Sequence, residues 1–211
     1  SNTNRQSAVY VSKPDTANAF SLPEVLGAAQ DQGDFSPVSV ATGPDGSVHV
    51  AWINIATGRI ALRSKAANSS SWGPERLVYS RQSGEFLANI NIGVASDGAI
   101  FVSWRVADQR MRVRRSTDGG QSWGTVFQLG ERFGFGIPYI ATGPGGRVAV
   151  AFMSPVGDIY EVFASVWNGS GFDTERVSGA GNDDGNPSAT FGADGTLYVA
   201  YRGLAESGPN S

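Results

Sequence analysis

The chain lacks cysteine, has a single histidine and two lysines, and contains no long apolar run, and each scarcity excludes a class of protein. Without cysteine there are no disulfides and no thiolate metal sites, and the compartment is left open on that ground. With only His49, imidazole-based zinc binding and Ser-His-Asp chemistry are ruled against, and no metal ion or other cofactor is expected. His49 lies in "SVHVAW" and reads as a strand residue facing a neighbouring sheet. Lys13 and Lys65 are the only lysines among sixteen basic residues, and the net charge is −3. That balance offers no basic face to displace counterions, so nucleic acid is not an expected partner. The densest basic run, Arg110, Arg112, Arg114 and Arg115, mostly follows the alternate spacing of a strand face. No apolar stretch approaches the ~18 residues of a membrane-spanning helix.

Glycine, by contrast, is abundant: 28 of 211 residues, about twice the usual ~7%. Hydrophobic residues are 40% and charged residues 17%, a globular composition. The glycine excess has no collagen period, so it implies many tight turns between short strands.

Those strands repeat. "PVSVATGPDGSVHVAWIN" (37–54), "NINIGVASDGAIFVSWRV" (89–106), "IPYIATGPGGRVAVAFMS" (137–154) and "NPSATFGADGTLYVAYRG" (186–203) align, closing on Trp52, Trp104, Phe152 and Tyr201. Each is an apolar strand, an Asp-Gly or Gly-Gly turn, and a second strand. Asp45-Gly46, Asp97-Gly98 and Asp194-Gly195 signal hairpins because glycine supplies the positive φ such turns need. By alternation Val48, Val50 and Trp52 share one strand face. A second set of hairpins, at 7–26, 58–78, 109–129 and 158–178, carries Phe20, Trp72, Trp123 and Phe172 at matching places. Four strands, named A to D in chain order, within roughly fifty residues form the signature of a β-propeller blade.

The chain therefore reads as one all-β propeller domain or propeller segment, 1–211. It holds a C–D half blade at 7–26, four-stranded antiparallel blades at 37–78, 89–129 and 137–178, and an A–B half at 186–203. Either the halves close on each other as a fourth blade, which would remove unpaired edges, or the ring is larger. A larger ring is completed by further chain or by a second copy, which would make a homo-oligomer.

The stretch Ser116-Thr117-Asp118-Gly119-Gly120-Gln121-Ser122-Trp123 resembles the Asp-box, or bacterial neuraminidase repeat, S-x-D-x-G-x-x-W, at every position. The segments at Ser12–Phe20, Ser64–Trp72 and Ser165–Phe172 look like worn copies. The resemblance implies a sialidase-like propeller in which these boxes are structural and sit opposite the ligand face. Physically, Asp118 can accept backbone N–H groups of its own turn, the glycines free the backbone, and Trp123 anchors a small core. Ser116, Asp118, Gly120 and Trp123 are thus assigned to structure. Phosphate binding is excluded because no helix follows, and a calcium loop because further acidic ligands are missing.

Function is expected on the other face, formed by the B–C and D–A connections, where carboxylates, guanidiniums and aromatic rings gather. Arg105 and Arg202 each follow a strand-B aromatic, in blades two apart, and an arginine there can grip a carboxylate with two hydrogen bonds. Asp34, Glu85 and Asp183 precede strand A in three blades and are expected to point toward the axis; Asp184 follows. These six are the ligand-binding candidates, for a glycan or a protein, and no catalytic residue is assigned. The expected setting is an exported or surface protein of a bacterium. The alternative is an exo-sialidase-like glycoside hydrolase, for which the resemblance implies three arginines on the substrate carboxylate, a Tyr–Glu nucleophile pair and an Asp acid. The chain departs from that pattern: Gly136-Ile137-Pro138 lacks the arginine of the family's Arg-Ile-Pro element, about four blades stand where sialidases have six, and no tyrosine has an evident glutamate partner.

Overall fold

A computed structural model describes residues 8–12, 22–28, 38–106, 110–130, 137–179 and 183–203. Phe20 and Asp34 lie outside the described residues, as does most of the segment Ser12–Phe20. Within them the chain is almost wholly strand. A two-stranded sheet pairs β1 (Ala8–Val11) with β2 (Glu24–Ala28). Three four-stranded antiparallel sheets follow: β3 (Val38–Thr42), β4 (Val48–Asn54), β5 (Arg59–Lys65) and β6 (Arg76–Ser80); β7 (Ala88–Val94), β8 (Ile100–Arg105), β9 (Met111–Ser116) and β10 (Val126–Leu129); β11 (Tyr139–Thr142), β12 (Val148–Val156), β13 (Ile159–Trp167) and β14 (Phe172–Arg176). A second two-stranded sheet pairs β15 (Gly185–Phe191) with β16 (Leu197–Arg202). The half sheets are the expected C–D and A–B pairs, and among the described residues they are not paired with each other.

The A–B turns explain why these hairpins form. The residue entering each turn donates its N–H to the carbonyl four residues on: Gly43 to Ser47, Ala95 to Ala99, Gly143 to Arg147 and Gly192 to Thr196, each at 2.8 Å. Inside three of them an aspartate Oδ1 accepts the N–H two residues on, Asp45 from Ser47, Asp97 from Ala99 and Asp194 from Thr196, at 2.9 to 3.0 Å. The glycine after it sits at φ 78, 83 or 80°, closed to most side chains. In the third sheet Gly145 replaces the aspartate and a single 3-10 turn, Pro144–Gly146, does the same work.

Strand A is innermost and D outermost, and β3, β7, β11 and β15 lie side by side in that order, so the sheets fan from a common inner edge. Each four-stranded sheet packs on a neighbouring sheet through both faces. Val50, Trp52 and Ala61 pack on Val9 and Leu26, whereas Ala51, Ile53, Ile60 and Leu62 pack on the β7–β10 sheet with Trp104. Phe101, Met111 and Val113 pack onward against Val150 and Phe152 of the next sheet. Trp52, Trp104 and Phe152 are fully buried, as their repeat position predicts. Tyr201, the fourth marker, is instead 39% exposed; it lies on a two-stranded sheet, and the cover that strands C and D give its counterparts is missing from that sheet.

Candidate functional site

The arginine run proves to join sheets rather than to form a patch. Arg114 donates to the carbonyls of Val78 at 2.6 Å and Gly124 at 2.7 Å, tying β9 to the neighbouring sheet's outer strand and to its own turn. Arg115 stacks over Phe101 and over Trp167 of the next sheet, 5.7 and 5.3 Å from their centroids. Arg112 meets Glu85 and Tyr79, described below.

The turn after β9 is a closed polar corner. Ser116 Oγ donates to Asp118 Oδ1 at 2.8 Å and accepts the Gly120 N–H at 2.9 Å. Asp118 also accepts the Ser122 N–H at 2.9 Å and its hydroxyl at 2.5 Å. These bonds, led by the Ser122 hydroxyl, hold the Asp118 carboxyl down to about 2. Gly119 and Gly120 have φ of 71 and 86°. A Cβ on Gly120 would stand 2.4 Å from a Leu62 methyl, so the corner rests directly on the preceding sheet. Trp123 packs on the core between the two sheets.

The two described copies, Ser64–Trp72 and Ser165–Phe172, do not make this corner. Ser116 stands opposite Ile100, but Ser64 stands opposite His49 and Ser165 opposite Val150. In the first of these sheets Lys65 takes the matching place, opposite Val48. A one-residue offset turns Ser64 to the other face, where its hydroxyl meets His49 Nδ1 at 2.8 Å. The other imidazole nitrogen, Nε2, meets Ser47 Oγ at 2.8 Å, and Ser47 Oγ in turn bonds Asp45. Asp45, held ionised by its bonds from Ser47, can only accept. Ser47 therefore donates to Asp45 and accepts from Nε2–H, which leaves Nδ1 to accept from Ser64. His49 is buried, and that burial lowers its pKa against a small opposing pull from Asp45.

On the face of the B–C and D–A connections, strand B ends and strand A begins. Arg105 closes β8 opposite Ala88, and Arg202 closes β16 opposite Gly185. Immediately inside each pair the register slips, between Ala88 and Asn91 and between Gly185 and Ser188. The residues in these bulges, Asn89 and Asn186, have φ of 52 and 51°, the two non-glycine residues with positive φ among those described. Bulges re-aim side chains, and asparagine tolerates this left-handed conformation better than most. Sequence reasoning picked the arginines and missed the asparagines, although both open their aligned segments. Arg105 is half-buried, and desolvation pulls its pKa down. Arg202 is exposed.

Glu85 faces a joint between sheets. Its Oε2 accepts the Tyr79 hydroxyl at 2.6 Å and the Gln82 N–H at 2.8 Å, and its Oε1 pairs with Arg112 at 2.7 Å. Arg112 also donates to the Tyr79 hydroxyl at 2.7 Å. Burial pushes the Glu85 carboxyl up, but the bonds from Tyr79 and Gln82 with the Arg112 charge outweigh it, and the net direction is down. Burial first, and the Glu85 bond second, push Tyr79 up to about 12. The Tyr79 ring lies 4.8 Å from that of Trp104. A tyrosine with a glutamate partner thus exists, contrary to the sequence reading, brought together by a six-residue step through the D–A connection.

Asp183 accepts the Tyr160 N–H at 3.0 Å and is exposed; the Asp184 N–H donates to the Tyr160 carbonyl at 2.8 Å. The Asp184 side chain is buried beside Gly203, where a Cβ would come within 2.8 Å of Oδ1. Together the two aspartates fix the connection into β15 against the start of β13. Among the described residues no group of three or more His, Cys, Asp or Glu could hold a metal ion, and no helix is long and apolar enough to cross a membrane.

No family model matches the chain, and no curated protein matches it in sequence. Solved structures do match in fold. A Dyadobacter fermentans protein of unknown function superposes with a TM-score of 0.58 at 17% identity, over 81% of this chain and 50% of its own. An ulvan lyase bound to a saccharide containing GlcA gives 0.61 at 12%, over 95% and 63%. The NanB sialidase of Streptococcus pneumoniae gives 0.58 at 11%, over 91% and 32%. A Penicillium chrysogenum α-L-arabinanase complexed with arabinobiose gives 0.55 at 15%, over 92% and 67%. The chain thus spans about half to two thirds of the first of these neighbours and a third of the sialidase. At these identities the likeness is one of fold, the β-propeller.

Proposed function

We propose that the chain is a non-catalytic Asp-box propeller module that binds an acidic glycan on the face of its B–C and D–A connections. The repeated bulge carries this conclusion: two sheets, two places apart, each set an arginine at the end of strand B across from the start of a strand A that bulges at an asparagine. A guanidinium fork suits a carboxylate, and a carboxamide offers a donor and an acceptor to sugar hydroxyls. Asp183, exposed, is the candidate acceptor on this face, with Asp184 buried against Gly203 and Glu85 tied into a joint between sheets; Asp34, outside the described residues, remains a candidate from the sequence. The fold neighbours, a sialidase, an arabinanase and a lyase bound to a GlcA-containing saccharide, lend support. An exported or surface location, in a bacterium, fits such a ligand. Hydrolysis through Tyr79 is disfavoured, because a nucleophile needs access and a lowered pKa, whereas this phenol is buried and raised.

Calorimetric titration with sialyllactose and with lactose tests the proposal. The acidic sugar binds and the neutral one does not; Arg105→Ala or Arg202→Ala each weakens binding about tenfold or more, the effect of losing a charged hydrogen bond of ~1.5–3 kcal/mol. Equal binding of both sugars, or indifference to both substitutions, overturns it. No binding to any member of a glycan array would point to a protein ligand on the same face.

A further inference from the structure

The inner strands share one register against strand B, so their side chains can be compared place by place. Ser39 stands opposite Ala51, Asn91 opposite Ser103, Tyr139 opposite Ala151 and Ser188 opposite Ala200. Ser39 and Asn91 tie their strands to the next one, accepting the N–H groups of Ile92 and Ile140. Tyr139 does no such work. Among the described residues its hydroxyl makes no hydrogen bond, and its ring stacks on no other aromatic ring and no cation. Ala189, opposite Val199, is the counterpart of Ile92 and Ile140. By that register its N–H is turned to the inner edge of β15, and no side chain among the described residues takes it.

Tyr139 is also in the open. Ile137 and Tyr139 are 48% and 41% exposed, whereas Pro138 and Ile140 are buried, the alternation of a strand with one wet side. This strand, β11, belongs to a complete four-stranded sheet and lies between the inner strands β7 and β15. Its exposure is therefore that of an innermost strand bordering a propeller's central channel. Tyr139 opens β11, at the end where the D–A connection enters. Of the two neighbouring inner strands, β7 belongs to the sheet that carries Arg105 and β15 to the sheet that carries Arg202. The tyrosine thus stands on the sheet between the two arginine-bearing ones, on the face proposed to bind.

A flat ring half in water, with no partner in its own fold, suits the C–H face of a sugar whose hydroxyls lie around its rim. With two side-chain torsions to fix, it also loses little freedom on binding. We propose that Tyr139, extended by Ile137, is the platform on which one sugar ring of the ligand stacks, the Ala189 N–H donating to an oxygen at that ring's rim. This rests on the glycan reading above and narrows it. With the carboxylate taken by an arginine of a flanking sheet, the ring over Tyr139 is a neutral hexopyranose adjoining the acidic residue. The galactose of sialyllactose is of this kind, because its axial hydroxyl leaves the opposite face to C–H groups.

Titration with sialyllactose tests the platform through three variants. Tyr139→Ala and Tyr139→Leu should each weaken binding about tenfold, the effect of losing one stacked ring. Tyr139→Phe, which keeps the flat face, should restore it. Leucine keeps apolar bulk, so its urea midpoint should match that of the unaltered chain. Nuclear magnetic resonance should show the galactose C–H resonances shifted upfield on the unaltered and Tyr139→Phe proteins, and not on Tyr139→Leu. Affinity unchanged in Tyr139→Leu, or lost together with stability, overturns the platform. If that affinity still depends on Arg105 or Arg202, the glycan reading survives the loss. An unaltered chain that binds no sialyllactose takes both down.

Discussion

Asn91 reaches from one innermost strand to the next, its Oδ1 accepting the Ile140 N–H at 3.2 Å. One sheet earlier, the counterpart Ser39 Oγ accepts the N–H of Ile92, the counterpart of Ile140, at 3.3 Å. A polar side chain at this one repeat position thus ties β3 to β7 and β7 to β11 and helps hold the fan's inner edge. Gly93, beside it, allows the approach: a Cβ there would stand 2.5 Å from Ile140 Cγ2. Asn91→Ala should cost about 1–3 kcal/mol, because the buried Ile140 amide loses its partner, and Gly93→Ala a similar amount through overpacking. Urea denaturation of each variant checks this; a loss below a few tenths for both contradicts the role.

The corner at Ser116–Trp123 should behave as structure. Gly120→Ala combines a positive φ with the Leu62 contact and should destabilise by about 1–3 kcal/mol, while leaving saccharide affinity unchanged. Asp118 has a folded pKa of about 2 against an ordinary 3.8. Its contribution is complete above the ordinary value and fades as pH falls from about 4 toward about 2. The wild type should therefore lose stability over that interval more steeply than Asp118→Asn, as thermal melts across the acid range would record.

His49 is the sole histidine, so its ring resonances can be assigned without ambiguity. Burial lowers its folded pKa, whereas in the unfolded chain it titrates near ~6.5. Between the two values the unfolded state binds the extra proton, so stability is present above pH ~6.5 and declines as pH falls toward the folded pKa. Nuclear magnetic resonance titration should find the ring neutral at pH 6.5, with Nε2 carrying the proton. A folded pKa at or above 6.5 contradicts the buried Ser47–His49–Ser64 chain.

Glu85 should matter to stability more than an ordinary surface carboxylate. Glu85→Gln leaves Arg112 without its counter-charge and should cost about 2–4 kcal/mol, under the ~3–5 of a fully buried pair because both side chains keep some solvent contact. Since its folded pKa is depressed, the contribution is present at neutral pH and is lost as pH falls through that pKa. Chemical denaturation at neutral pH reads the cost directly. Tyr79→Phe, which keeps the ion pair, should cost less.

The hairpins were legible because their cause is local: Asp45, Asp97 and Asp194 each bond two residues on, and the glycine after each supplies the turn. The core markers Trp52, Trp104 and Phe152 were legible by repetition. Tyr201 was misread because its cover depends on strands C and D, which its own sheet does not supply. Ser64 and Ser165 read as worn copies, but residue type alone could not reveal their register offsets: Ser64 stands one residue off, which reverses its strand face, and Ser165 two. The Tyr79–Glu85–Arg112 cluster needed coordinates, since Arg112 comes from another sheet. Asn89 and Asn186 were within reach: both open aligned segments, but an asparagine before a strand reads as part of a turn until the bulge is seen.

The most direct measurement is a map of backbone amide shifts in the ¹⁵N-labelled protein as sialyllactose is added. Perturbations should gather at Asn89, Arg105, Asn186 and Arg202, while Ser116 to Trp123, on the opposite face, stay still. Shifts concentrated in that corner, with the arginine ends unmoved, would contradict the division between a binding face and a structural one.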